Sequence, residues 1–190
     1  MQEEKSNKKE KSERERQTFF RVAFKNNCNL LQIADNKANM VISINALVIS
    51  SIIAISSYGT ISNKFEMYSF KLIIPLVLIL VACLISTILG VQAAKPKILD
   101  DNKKGGQSQT GSILFFGESS AYTKEEYLNE LEKILPSRNA LNSNMSVTLY
   151  YQGRILKNKY NLLGYAYNVF LLGLAIGVFS FLIFLFFDLN

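Results

Sequence analysis

The 190-residue chain contains no histidine and no tryptophan, only two cysteines and only three prolines. Without histidine, Ser119 and Ser120 have no imidazole to activate them as nucleophiles. Cys28 and Cys83 are not at metal-ligand spacing, and Cys83 lies inside an apolar run, so neither a transition-metal site nor a disulfide is expected. Glycine-rich phosphate loops of the Walker or dinucleotide kind are missing as well. General acid–base work would fall to carboxylates such as Glu118, Glu125 and Glu126, but the last two are accounted for by the start of a helix. No catalytic residue, metal or cofactor is therefore expected, and the chain does not read as an enzyme.

The absence that organises the chain is that of charge. Residues 38–57, 72–90 and 162–187 contain no Asp, Glu, Lys or Arg. At about 1.5 Å of rise per residue, each stretch is long enough to cross a hydrocarbon core of roughly 30 Å as a helix. The expected class is an all-α membrane protein with three transmembrane helices, two of them extended into the cytoplasm. The first apolar run begins too late, behind too many charges, to be a cleaved signal peptide.

Basic residues set the expected orientation. The flank 1–37 holds nine Lys or Arg and the segment 91–161 holds ten, against Lys64 and Lys71 alone in 58–71 and none after Phe187. By the positive-inside rule the N-terminus and the segment 91–161 face the cytoplasm of a bacterial inner membrane, and the C-terminus faces out. That distribution also accounts for the net charge of +6, so the expected partner is the lipid bilayer and not nucleic acid.

Residues 1–16 mix charges without apolar periodicity and read as a disordered tail or the frayed end of a helix, ahead of a single membrane domain over 17–190. From there Phe20, Phe24, Cys28, Leu31, Ala34 and Ala38 recur in steps of three and four, an apolar helical face suited to packing on another helix. Asp35, Asn36 and Lys37 run without Gly or Pro into the first span. One helix is expected to carry both, which makes this collar the expected switch between a cytoplasmic signal and the membrane. Inside the span Ser43, Ala46, Ser50, Ala54 and Ser57 form a small, weakly polar face. It serves either close helix packing or, after rearrangement, a leak path for water; Asn45 falls off that face.

Pro75 is expected to bend the outer end of the second span, and Pro96 to end it. The stretch 99–112 is loop by composition. Ser112 to Phe116 read as a strand-like or buried extended run stopped by Gly117. Thr123 and Glu126 then form a T-x-x-E capping box for a helix that Pro136 ends, completing a small helical unit over 99–136. No proline follows Arg138, so one helix is expected to climb into the third span. Leu141, Met145, Leu149, Ile155 and Leu156 give its lower part an apolar side that suits the Phe20–Leu31 stripe. It brings Lys157 to Tyr160 to the depth of the first collar, where Asp35 is expected to face Lys157 or Lys159. Gly173-x-x-x-Gly177 allows close helix association, within one chain or in a homo-oligomer.

Phe116-Gly117-Glu118 shares three residues with the cassette that holds ribose and phosphate in cyclic-nucleotide-binding barrels. No Arg follows in SSAYTKEEYL and the chain lacks a run of strands, so such a barrel is not expected. The chemistry of the ligand still needs a cation or a nest of N–H groups for phosphate and an aromatic face for a base. Lys37, Phe115, Phe116, Gly117, Glu118, Arg154, Lys159 and Tyr160 are the expected ligand-binding set, with Arg138, Lys157 and Tyr127 as further donors of the same kind. Leaflet anchoring and ordinary core packing compete for the same residues.

Three strings, LLQIADNKANMVISINALVISS, ILFFGESSAYTKEEYLNEL and ILKNKYNLLGYAYNVFLLG, occur in this order around three spans. Together they resemble the transmembrane effectors of the Pycsar anti-phage system, over about residues 17–187. The resemblance implies a partner pyrimidine nucleotide cyclase that makes cyclic UMP or cyclic CMP during infection. It also implies that the nucleotide activates an effector which damages the inner membrane and arrests growth. It carries over no residue-level nucleotide site. The contrasting expectation is a non-lytic membrane scaffold that recruits a soluble partner through 99–161; a holin-like lysis protein fits less well, since holins lack a structured cytoplasmic unit of this size.

Overall fold

The computed structural model describes residues 2–61, 73–96 and 112–188. The greater part of the expected loops 58–71 and 99–112, with Lys64, Lys71 and Leu72, lies outside them. Among the described residues five helices follow one another: α1 (Gln2–Ile61), α2 (Ile73–Ala94), α3 (Phe116–Ser119), α4 (Lys124–Ile134) and α5 (Arg138–Asp188). The described residues contain no strand. The all-helical class expected from the sequence therefore holds. The run 112–116, expected as strand-like or buried and extended, is buried at Ser112, Ile113 and Phe115 but is a turn, closed by the Phe115 N–H donating to the Ser112 carbonyl at 3.2 Å. Of the two expectations for the charged run, tail or helix end, the described residues 2–16 match the second, as the first turns of α1. Its charges pair along the helix, Arg14 with Glu10, and across to α5, where Arg138 meets Glu13 at 2.8 Å.

Where composition suggests one domain over 17–190, the contacts divide the chain into two compact units. One comprises Met1–Gln32 and Pro96–Lys157, the other Ile33–Lys95 and Asn158–Asn190, so α1 and α5 contribute residues to both.

The second unit carries the charge-free parts of α1, α2 and α5, and each of these three helices is long and apolar enough to cross a membrane. Its core is built from small side chains, with Ala38, Val41, Ala93, Leu163 and Ala166 buried together. Large apolar side chains such as Leu47, Ile55, Ile88, Leu172 and Phe179 point outward and are more than half exposed. Small and polar inside with large and apolar outside is the arrangement lipid favours, because tails solvate Leu and Phe while close packing needs small residues. Pro75 sits in the first turn of α2, where its missing N–H has no intrahelical partner to lose.

The first unit is held by hydrogen bonds and short helices. Thr123 and Glu126 form the expected capping box, with the Thr123 N–H donating to Glu126 Oε2 at 2.9 Å and the Glu126 N–H to Thr123 Oγ1 at 3.3 Å. The Thr123 N–H, and then its hydroxyl, hold the Glu126 carboxyl below the usual carboxylate range. Ser137 caps α5 through its hydroxyl, which accepts the Ala140 N–H at 3.3 Å.

Candidate functional site

Three features of the fold carry chemistry, and the first is a polar node inside the helix packing of the second unit. Asn45 on α1 is fully buried, and its amide donates to Ser86 Oγ on α2 at 2.9 Å. Ser86 in turn donates to the Ala166 carbonyl on α5 at 2.8 Å. One chain of two hydrogen bonds thus ties all three apolar helices together, while Asn45 Oδ1 stays buried without a partner. In a medium that offers no competing water, such a node sets which faces meet. The sequence alone does not single out Asn45, which lies off the Ser43–Ser57 face; an amide well inside a charge-free run is the available signal, and Asn168 shares it. Ser43, Ala46, Ser50, Ala54 and Ser57 are not buried, so within this chain the small face is not part of the packed core. The Ser57 hydroxyl donates to its own helix, at the Ile53 carbonyl, 2.8 Å away.

The glycines of the third span are used inside the chain. A Cβ on Gly173 would run into the Ala82 side chain and one on Gly177 into Ile79, both on α2. On α1 the counterpart is Ile42, whose Cγ1 lies 3.1 Å from where a Gly90 Cβ would stand. GxxxG here lets α5 approach α2.

The second feature is the collar, also within the second unit. Lys159 Nζ donates to Asp35 Oδ1, the pairing expected from their matching depth. The lysine is buried, with 7% of its side chain exposed against 45% for Asp35. Lys37 lies 6.0 Å from the Tyr160 ring centroid, and the Tyr167 hydroxyl donates to the Lys37 carbonyl at 3.4 Å. Asn36 is exposed. Lys159, expected as a phosphate-binding cation, spends one of its three N–H donors on Asp35.

The expected ligand residues are divided between the two units. Lys37, Lys159 and Tyr160 belong to the second unit; Phe115, Phe116, Gly117, Glu118 and Arg154 belong to the first. Within the first unit the turn at 112–115 is pinned on α5. The Ile113 N–H donates to Asn144 Oδ1 at 3.1 Å, and the Ser112 and Thr148 hydroxyls, 2.7 Å apart, share the Asn144 carbonyl. Phe115 is buried with its ring 6.1 Å from that of Tyr151. Phe116 is 72% exposed, and Phe116, Gly117 and Glu118 lie in the single turn of α3. Phe115 is therefore core, and a helical turn does not reproduce a barrel's strand-flanked cassette. Arg154 is exposed.

The third feature was not among the expected sites. A cleft of about 300 Å³ opens in the first unit between the early turns of α1 and the start of α5. Arg16, Gln17 and Phe20 line it from α1, and Arg138, Asn142 and Met145 from α5. Glu13 also borders it and pairs with Arg138. Phe20 and Met145 are legible in the sequence as facing apolar stripes. Arg16 is not, because the run before Gln17 has the composition of solvated charge.

The family model described as the Pycsar effector protein domain matches residues 19–187. Neither the curated proteins nor the solved structures hold a match to the chain.

Proposed function

The chain belongs to the Pycsar effector family, whose members act in anti-phage defence, and we propose that it is a ligand-triggered effector that disables the inner membrane. A cyclic pyrimidine nucleotide, cyclic UMP or cyclic CMP, made by a partner cyclase during infection, binds the first unit on the cytoplasmic side. Binding favours a rearranged or associated form of the three spans only to the extent that this form binds the nucleotide more tightly. The chain takes no catalytic step of its own in this scheme. Its ten Lys and Arg over 91–161 and nine over 1–37 support a cytoplasmic N-terminus and an outer C-terminus.

The observation that carries this reading is the reach of the family match, which runs through all three membrane-crossing helices and the folded segment between them. Two structural features support it. The Asn45–Ser86–Ala166 node has an unsatisfied buried acceptor, which a different packing of the spans would relieve. The Ser43, Ser50 and Ser57 face, left outside the packed core, offers a weakly polar lining to a leak path where copies of the chain come together as a homo-oligomer. Co-expression with a pyrimidine nucleotide cyclase in bacteria tests the reading. Loss of membrane potential and growth arrest are expected only when both proteins are present and the cyclase is active. Normal potential with the nucleotide abundant would refute it.

A further inference from the structure

We propose that the cleft lined by Arg16 and Arg138 is a binding site for a small phosphodiester monoanion bearing a planar heteroaromatic base. This rests on the reading above that a cyclic mononucleotide is the trigger, and it assigns the place and the groups. The volume, about 300 Å³, is at the small end for ligand sites and suits one nucleotide rather than two. The lining holds two guanidinium groups, Arg16 and Arg138, and one carboxylate, Glu13, so one positive charge is left to face one negative charge. A guanidinium meets a phosphodiester with two parallel N–H donors, a geometry a lysine does not offer. Arg138 is the first residue of α5, so the cleft also lies at the positive end of a 51-residue helix. Asn139, Asn142 and Gln17 supply amide donors and acceptors for the edge of a base, and Phe20, Leu141 and Met145 an apolar floor for its face.

The Glu13–Arg138 pair, 2.8 Å long, gives the site its regulation. Glu13 occupies the guanidinium that the phosphodiester needs, and the ligand takes its place. Binding then replaces a contact between α1 and α5 by two contacts to the ligand. The collar is less suited to this chemistry, since Lys159 is held by Asp35 and Lys37 rests on the Tyr160 ring.

The test is equilibrium binding of labelled cyclic CMP and cyclic UMP to the full chain in phosphatidylcholine nanodiscs. Helical content and particle size are compared across variants, to confirm that each one folds. At least one nucleotide should bind the unaltered chain. Arg16→Gln should weaken it roughly tenfold or more, and Glu13→Gln should tighten it about threefold or more, since it frees Arg138. Lys124→Gln, on the exposed face of α4 and outside the cleft, should stay within about twofold. The opposite signs at Arg16 and Glu13 are what a merely structural role would not give. Glycerophosphoglycerol, a lipid headgroup with the phosphodiester and no base, should fail to displace the nucleotide at equal concentration. Binding that survives Arg16→Gln and Glu13→Gln unchanged, weakens in both, or yields equally to the headgroup would overturn the cleft assignment alone. An unaltered chain that binds neither nucleotide would overturn the functional reading as well.

Discussion

Lys159 is the residue at which position and charge conflict most directly. Its ammonium lies in a place that leaves 7% of the side chain exposed, and Asp35, 45% exposed, is what makes that tolerable. The two partners should therefore not be equivalent. Asp35→Asn strands a buried charge, and its cost should be about 1–3 kcal/mol, below the value for a fully buried pair because Asp35 reaches solvent. Lys159→Met leaves only a half-exposed carboxylate and should cost clearly less. Denaturant titration of the two variants in the same detergent decides between them; equal losses, or a larger loss for Lys159→Met, would mean that the burial of Lys159 does not set the energetics. This pair is legible in the sequence, because two unbroken helices bring Asp35 and Lys159 to the same depth. The Asn45–Ser86–Ala166 node is not. Its bonds join residues 41 and 80 positions apart, and no local pattern says which faces of three apolar helices will meet.

At the scale of the element, the spans are readable because charge is missing from each over roughly 20 residues, a constraint lipid imposes on any sequence. The capping box at Thr123 and Glu126 is readable because both bonds lie within one turn. For the run 112–116 the burial is readable and the turn is not, since β-branched and aromatic residues signal burial as much as strand. Here they bury Ile113 and Phe115 in a turn that side chains of α5 hold in place. The use of GxxxG inside one chain gives a direct test with an internal control. Gly173→Ala drives a Cβ into Ala82, whereas Gly164, nine residues earlier on α5, has nothing within 4 Å of where its Cβ would stand. The first change should destabilise the folded chain by about 1–3 kcal/mol, and Gly164→Ala should be neutral or stabilise by up to about 1 kcal/mol through helix propensity. Thermal unfolding in detergent measures both; equal tolerance at the two positions would show that α5 does not approach α2 at Gly173.

For the molecule as a whole, the family match and the three apolar helices identify an anti-phage effector equipped to sit in a membrane. Composition alone is enough for the class, because an inside that is small and polar and an outside that is large and apolar follow from the solvent. It is not enough for the cleft, which needs Arg16 and Arg138 brought together from positions far apart in the chain. Whether a small ligand makes this chain breach a bilayer can be measured with nothing but the two of them. Purified full-length chain is reconstituted into dye-loaded liposomes, and cyclic UMP or cyclic CMP is added over a concentration series. Dye or ion release should rise with one of these nucleotides and saturate, with no release from the corresponding linear monophosphate. Liposomes that stay sealed at every saturating dose of both cyclic nucleotides would contradict the proposed function.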